Sequence, residues 1–226
     1  MTDPEFTQID SRLRRDRAEA REMLESDDVE SLTAWAERDP KLLRVLVSLL
    51  YDRDELVCFR AADALGRASA IVARRKLSRI RNLLRRLFWT MNDESGSICW
   101  YAPEAIGEIL ANVPVLISEY SKMLFSFLKE EPFEKGVHRA LHRIAGLHPG
   151  SFALPVSALS KSLDDPDPSI RGHAILTIAS MGYEIPSDGL DRLRRDDSPF
   201  RHFNSEKREF ETRIISEVVR EIAKSP

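Results

Sequence analysis

A ten-residue pattern returns four times along the chain, and it constrains the fold more than any other feature. The first copy is Val57-Cys58-Phe59-Arg60-Ala61-Ala62-Asp63-Ala64-Leu65-Gly66, and the second is Ile98-Cys99-Trp100-Tyr101-Ala102-Pro103-Glu104-Ala105-Ile106-Gly107. The third is Val137-His138-Arg139-Ala140-Leu141-His142-Arg143-Ile144-Ala145-Gly146, and the fourth is Ile170-Arg171-Gly172-His173-Ala174-Ile175-Leu176-Thr177-Ile178-Ala179. Each opens on a β-branched apolar residue. Each carries small or aliphatic side chains at its fifth, eighth and ninth places, with Thr177 standing in once. The starts at 57, 98, 137 and 170 lie 41, 39 and 33 residues apart. Such a period holds two helices of about 12–15 residues and two turns, the size of a helical-hairpin repeat.

The segments preceding the copies, 41–50, 77–91, 115–128 and 154–163, read as first helices of the pairs. Polar turns stand between: Asp52-Arg53-Asp54, Asn92 to Gly96, and Asp164-Asp165-Pro166-Asp167-Pro168. They bring cap residues and helix breakers to the places where second helices start, and Asp93 is expected to cap one of them. A degenerate copy begins at Val29 and includes Leu32, Thr33 and Ala36. Alanines at fixed places let the second helices approach their neighbours closely, so Ala61, Leu65, Ala105, Ile106, Ile144 and Ile178 are expected in the core. Gly66, Gly107 and Gly146 sit where helices are expected to stop. A single hairpin leaves its apolar stripe open, which makes stacking obligatory.

Composition agrees. The 226 residues are 42% hydrophobic, with only nine glycines, which suits one sizeable helical core. Thirty-four basic residues stand against 37 acidic, a net charge of −3, so no global drive toward nucleic acid or anionic membrane exists. Cys58 and Cys99 have no CxxC partner, which excludes a thiolate zinc site. No apolar run reaches the roughly 18 residues of a membrane span, and no apolar signal segment opens the chain. The expectation is a cytoplasmic protein with reduced thiols.

These copies resemble HEAT repeats, especially the alanine-rich subtype of phycobilisome-lyase relatives, with Asp165-Pro166-Asp167-Pro168-Ser169-Ile170-Arg171 close to that subtype's turn and helix start. Residues 92–110 also resemble a signature of uncharacterised bacterial HEAT proteins. The resemblance covers roughly residues 27–183. It implies an all-α fold, a right-handed α-α superhelix of about five helical hairpins in one domain. Residues 1–26 are read as an N-terminal capping helix resting on Ile9, Leu13, Met23 and Leu24. Residues 184–226 are read as a C-terminal cap: a loop with Phe200 and Phe203, then a closing helix over 205–223. No sheet is expected.

The third and seventh places of each copy are four apart and share a helix face. They hold Phe59 and Asp63, Trp100 and Glu104, Arg139 and Arg143, then Gly172 and Leu176. The resemblance implies that second helices line a concave surface. There Trp100, Glu104, Arg139 and Arg143, with Phe59 and Asp63 at the edge, form a partly exposed binding site for a protein or peptide. The competing account is a ladder of charges between repeats, Glu104 to Arg143, with no ligand.

Other constellations carry less. His138 and His142 form HxxxH, but Arg139 stands where zincins have glutamate, and the chain lacks the His-Glu dipeptides of HEAT-type hydroxylases. No metal or other cofactor is expected. Residues 74–86 hold seven basic residues and no acid. Their place on a first helix makes them a solvated face, so nucleic acid is not the expected partner. The acidic turn at 92–96 lacks calcium-loop spacing. Pro103 would kink a helix that began near Ser97. No nucleophile triad or phosphate loop is visible. The expected function is a non-catalytic scaffold that binds a protein or peptide partner on its concave face; the alternative is a lyase-like or hydroxylase-like enzyme or a cofactor-handling protein, and a nucleic-acid binder ranks last.

Overall fold

The computed structural model describes residues 4–92, 96–151 and 156–223, with side chains from residue 12 onward except those of 156 and 188. The chain divides into two compact units, Met1–Val113 and Pro114–Pro226. Among the described residues the fold is all-α apart from one small two-stranded hairpin. Among the described residues no helix is long and apolar enough to cross a membrane.

The first unit contains α1 (Pro4–Glu25), α2 (Val29–Arg38), α3 (Leu42–Leu49), α4 (Glu55–Trp89) and α5 (Ala102–Asn112). Asp28 caps α2 by accepting a hydrogen bond from Ser31 N at 3.0 Å, and Asp54 caps α4 through Leu56 N at 2.8 Å. Both use a short carboxylate to satisfy an amide that the helix cannot. The α4 segment is two helices joined at Lys76, whose dihedrals leave the helical region (φ −155°, ψ 81°). This break separates the first copy from the first helix of the next pair without a turn sequence. The apolar stripes meet in a core where Leu65, Ala61, Ala105 and Ile106 have no exposure. Each large side chain so buried contributes about 1.5–3 kcal/mol relative to exposure. Leu32 and Ala36 are buried on α2, as the degenerate copy requires.

Gly66 does not stop a helix. It lies inside α4, and a β-carbon there would stand 2.6 Å from Glu108 O of α5. It is glycine because two helix backbones approach there. Gly107 is likewise interior to α5, and Gly146 lies within α7 (Glu134–Leu147). The cap expected at Asp93 and the contact expected of Ile9 fall outside the described residues. Leu24 is fully buried, while Leu13 and Met23 are half-buried. Asp52, in the turn after α3, binds Arg17 at 3.0 Å and Arg21 at 3.1 Å and so fastens α1.

The second unit begins with a 3-10 turn (Pro114–Leu116). It continues through α6 (Ile117–Ser126), α7, α8 (Val156–Ser162), α9 (Pro168–Ser180) and α10 (Ser187–Leu193). Ile144 and Ile178 are fully buried in it. Asp167 caps α9 through Ser169 N at 2.8 Å, with Pro168 in the first turn. Arg171 of the same motif donates to Asp165 O at 2.7 Å and to Asp196 at 2.9 Å. It thereby fixes both the turn before its own helix and the chain before the hairpin.

That hairpin corrects the reading of the C-terminal cap. Strands β1 (Pro199–Asn204) and β2 (Glu209–Ile214) pair antiparallel, Phe203 opposite Phe210 and His202 opposite Glu211. Only Ile215–Ile222 forms the closing helix, α11. The alternation of Phe200, His202 and Asn204 with Arg201 and Phe203 is a period of two. Asn204 Oδ1 accepts from Glu206 N and Lys207 N at 2.9 and 3.0 Å, which closes the turn. The hairpin seats Phe200 against Gly172 of α9. A β-carbon there would lie 2.5 Å from the ring.

Candidate functional site

The six residues expected to share one surface are used differently. Phe59 is 4% exposed and packs edge-on to Tyr101, with ring centroids 5.7 Å apart. Asp63 has no exposure and accepts from Arg67 Nε at 2.9 Å, one turn along its own helix. Glu104 is also buried. The α5 helix starts at Ala102, not near Ser97, because Pro103 lacks an N–H and fits only the first turn. Trp100 therefore precedes the helix and shares no face with Glu104. Phe59, Asp63 and Glu104 belong to the interior of the first unit, which removes them from an exposed surface. Arg139 and Arg143 are half-buried on α7 in the second unit.

Trp100 itself is 68% exposed. The segment that carries it is tied down just before the indole. Cys99 N donates to Thr90 O at 3.2 Å, and the Tyr51 side chain bonds to Ser97 and Cys99. Tyr51, Trp89 and Ile98, around these ties, are exposed too. The result is one end of the first unit that presents three aromatic rings and an isoleucine to water. An indole held outward by a fastened loop is suited to enter a partner's pocket at small entropic cost. Cys58 and Cys99 are buried there, and burial pushes their thiols up to about 12 and about 11. Neither supplies a thiolate at neutral pH.

The basic run on α4 borders a groove against α3. The groove has a volume near 440 Å³, and Lys41, Arg44, Arg79 and Arg86 line it. Composition did not single it out, because the lining comes from two helices separated by the whole first half of α4.

The second unit holds a cluster that spacing along the chain did not indicate. His142 of α7, His173 of α9 and His202 of β1 converge, with ring centroids 5.4–6.2 Å apart. His173 Nδ1 donates to Ser169 O at 2.7 Å, which leaves Nε2 to face His202 Nδ1 at 3.4 Å. Among the described residues His142 Nδ1 is buried and has no hydrogen-bond partner. Burial is the main cause that holds His142 down to about 3, His202 to about 4 and His173 well below its ordinary value. Arg213 adds to this at His142 and His202, and Arg139 at His173. The rings are neutral aromatic packing units, and Phe200 lies edge-on to His173. Among the described residues no group of three or more metal-ligating side chains is placed to hold an ion. His138 does not join His142 in a ligand pair. Its Nδ1 donates to Glu134 O and its Nε2 accepts from Ser162 Oγ, both at 2.8 Å.

No family model matches the chain. It is 32% identical over 154 residues to an uncharacterised protein of Archaeoglobus fulgidus, a match spanning 67% of this chain and 80% of that one. Among solved structures, it is similar to an archaeal HEAT-like repeats protein from Thermococcus onnurineus NA1. That likeness covers 91% of this chain and 97% of the other, at 14% identity and a TM-score of 0.37.

Proposed function

We propose, for a chain that belongs to the same family as the Archaeoglobus fulgidus protein, that it is a non-catalytic interaction module whose first unit binds a protein or peptide through Trp100. The observation that carries this is the 68% exposure of Trp100 on a loop hydrogen-bonded to Thr90 and Tyr51. Exposed apolar patches of this kind mark interaction surfaces, and tryptophan is enriched among the side chains that dominate binding energy. The interior roles of Phe59, Asp63 and Glu104 confine the reading to the exposed end, with Tyr51, Trp89 and Ile98 as neighbours. Arg139 and Arg143 remain candidate anion partners on the second unit.

The test is affinity capture from native lysate by wild type, Trp100→Ala and Met123→Ala. The last is an exposed apolar residue of the second unit, 47% accessible. The reading expects a partner retained by wild type and Met123→Ala, and lost by a Trp100→Ala protein that melts normally. Equal capture by all three would refute it.

A further inference from the structure

The groove between α3 and α4 is a second binding surface, and its chemistry is unlike that of the Trp100 end. Its floor is apolar. Leu43 and Leu83 lie at its base with 7% and 8% exposure, and Val47 is half-buried. Its rim is cationic, with Lys41, Arg44, Arg79 and Arg86 all exposed. Among the described residues none of these four meets a carboxylate in an ion pair. The one acidic residue at the groove, Asp39, already accepts from Lys41 N at 2.9 Å. Four solvated cations around an apolar floor are a poor arrangement for the isolated unit, since like charges gather without compensation. They are a good arrangement for an occupant that brings carboxylates to the rim and apolar side chains to the floor.

We propose that this groove takes an acidic, leucine-bearing segment of a partner protein. The spacing supports an extended or helical segment over a compact ligand. Arg79 and Arg86 lie seven residues apart on α4 with Asn82 and Leu83 between them, and Pro40 and Val47 lie seven apart before and along α3 with Leu43 and Arg44 between them. Each helix thus supplies a full stripe and not a point. Nucleic acid fits less well, because the residues lining the groove include no aromatic ring on which a base would stack. The groove does not depend on Trp100, so either surface can fail alone.

Fluorescence anisotropy at physiological salt tests the proposal. The probes are a short labelled peptide of alternating glutamate and leucine, the same peptide with serine for leucine, and a single-stranded oligonucleotide. The glutamate–leucine peptide should bind wild type more tightly than either other probe. Arg79→Glu/Arg86→Glu should weaken it by roughly tenfold or more, as like charges then face each other across the interface. Arg53→Glu/Arg74→Glu, which reverses two exposed cations outside the groove, should leave it unchanged, and so should Trp100→Ala. Circular dichroism checks that each variant is folded. Failure of the peptide to bind, equal loss in both reversal pairs, or tighter binding of the oligonucleotide would overturn the proposal.

Discussion

The first unit holds all three tryptophans of the chain and the second all five histidines. Trp89 and Trp100 are more than half exposed, whereas His138 and His173 are buried and His142 and His202 half-buried. One unit leaves two of its tryptophans in water and carries a groove whose cations meet no carboxylate among the described residues. The other gathers His142, His173 and His202 into its interior, where burial holds all three below their ordinary value. The same repeat pattern therefore builds two kinds of surface economy. Places that are equivalent in the ten-residue copies carry an exposed indole in one copy and a glycine seat for Phe200 in another. Equivalence along the sequence predicts where the helix core lies. It does not predict what the remaining face is used for.

The largest expected effect falls in the first unit. Ile106 has no exposure, and Ile106→Asp would bury an unpaired charge at a cost of several kcal/mol, on the order of the whole net stability. Tryptophan fluorescence, which reports only the first unit, should show an unfolded emission in buffer. A native spectrum would mean that the core has been placed on the wrong residues.

The second effect belongs to the histidines. In the unfolded chain they titrate near 6.5. In the folded unit burial holds His142 to about 3 and His202 to about 4, with His173 shifted the same way. The unfolded form therefore binds protons that the native form refuses. Stability is full above about 6.5 and falls as pH drops toward the folded values, by about 1.4 kcal/mol per pH unit for each such group. Far-UV circular dichroism should show a loss of helix on acidification that His142→Leu reduces. Tryptophan fluorescence should follow acid less steeply than circular dichroism. Coincident acid transitions, unchanged in the variant, would remove the histidines from the explanation.

Close approach separates the units again, at a smaller scale. Gly172→Ala sets a methyl group against the Phe200 ring and should cost about 1–3 kcal/mol. Gly66→Ala meets the Glu108 backbone, which yields less than a ring, and should lower the melting temperature more. The reverse order would show that α4 and α5 are more loosely packed than their separation implies.

What was legible in the sequence follows from these cases. The helical pairs, the buried Leu65, Ile106 and Ile144, and the Asp54 and Asp167 caps rest on local periodicity and short-range hydrogen bonds, which a linear pattern records. The start of α5 at Ala102 was half legible. Pro103 marks a first turn, but extending the repeat register back to Ile98 placed Trp100 on the helix. The β-hairpin is not legible, because residues 205–223 read as one closing helix, although 209–214 pair with 199–204. The histidine cluster was not legible at all. Its members stand 31 and 29 residues apart on three elements, and only packing brings them together.

The smallest stability effect is expected at the residue with the largest functional one. Trp100→Ala should change folding stability by no more than about 0.5 kcal/mol, as for other exposed positions. A substantial drop in melting temperature would return Trp100 to a structural role.

Hydroxyl-radical footprinting of Trp100 tests the central claim most directly, with the chain compared as purified protein and in native lysate. The indole should oxidise readily in the purified protein and be protected in lysate, while exposed Tyr183 of the second unit oxidises alike in both. Equal oxidation of Trp100 in the two samples would mean that nothing covers it, and would contradict a binding role for that end of the first unit.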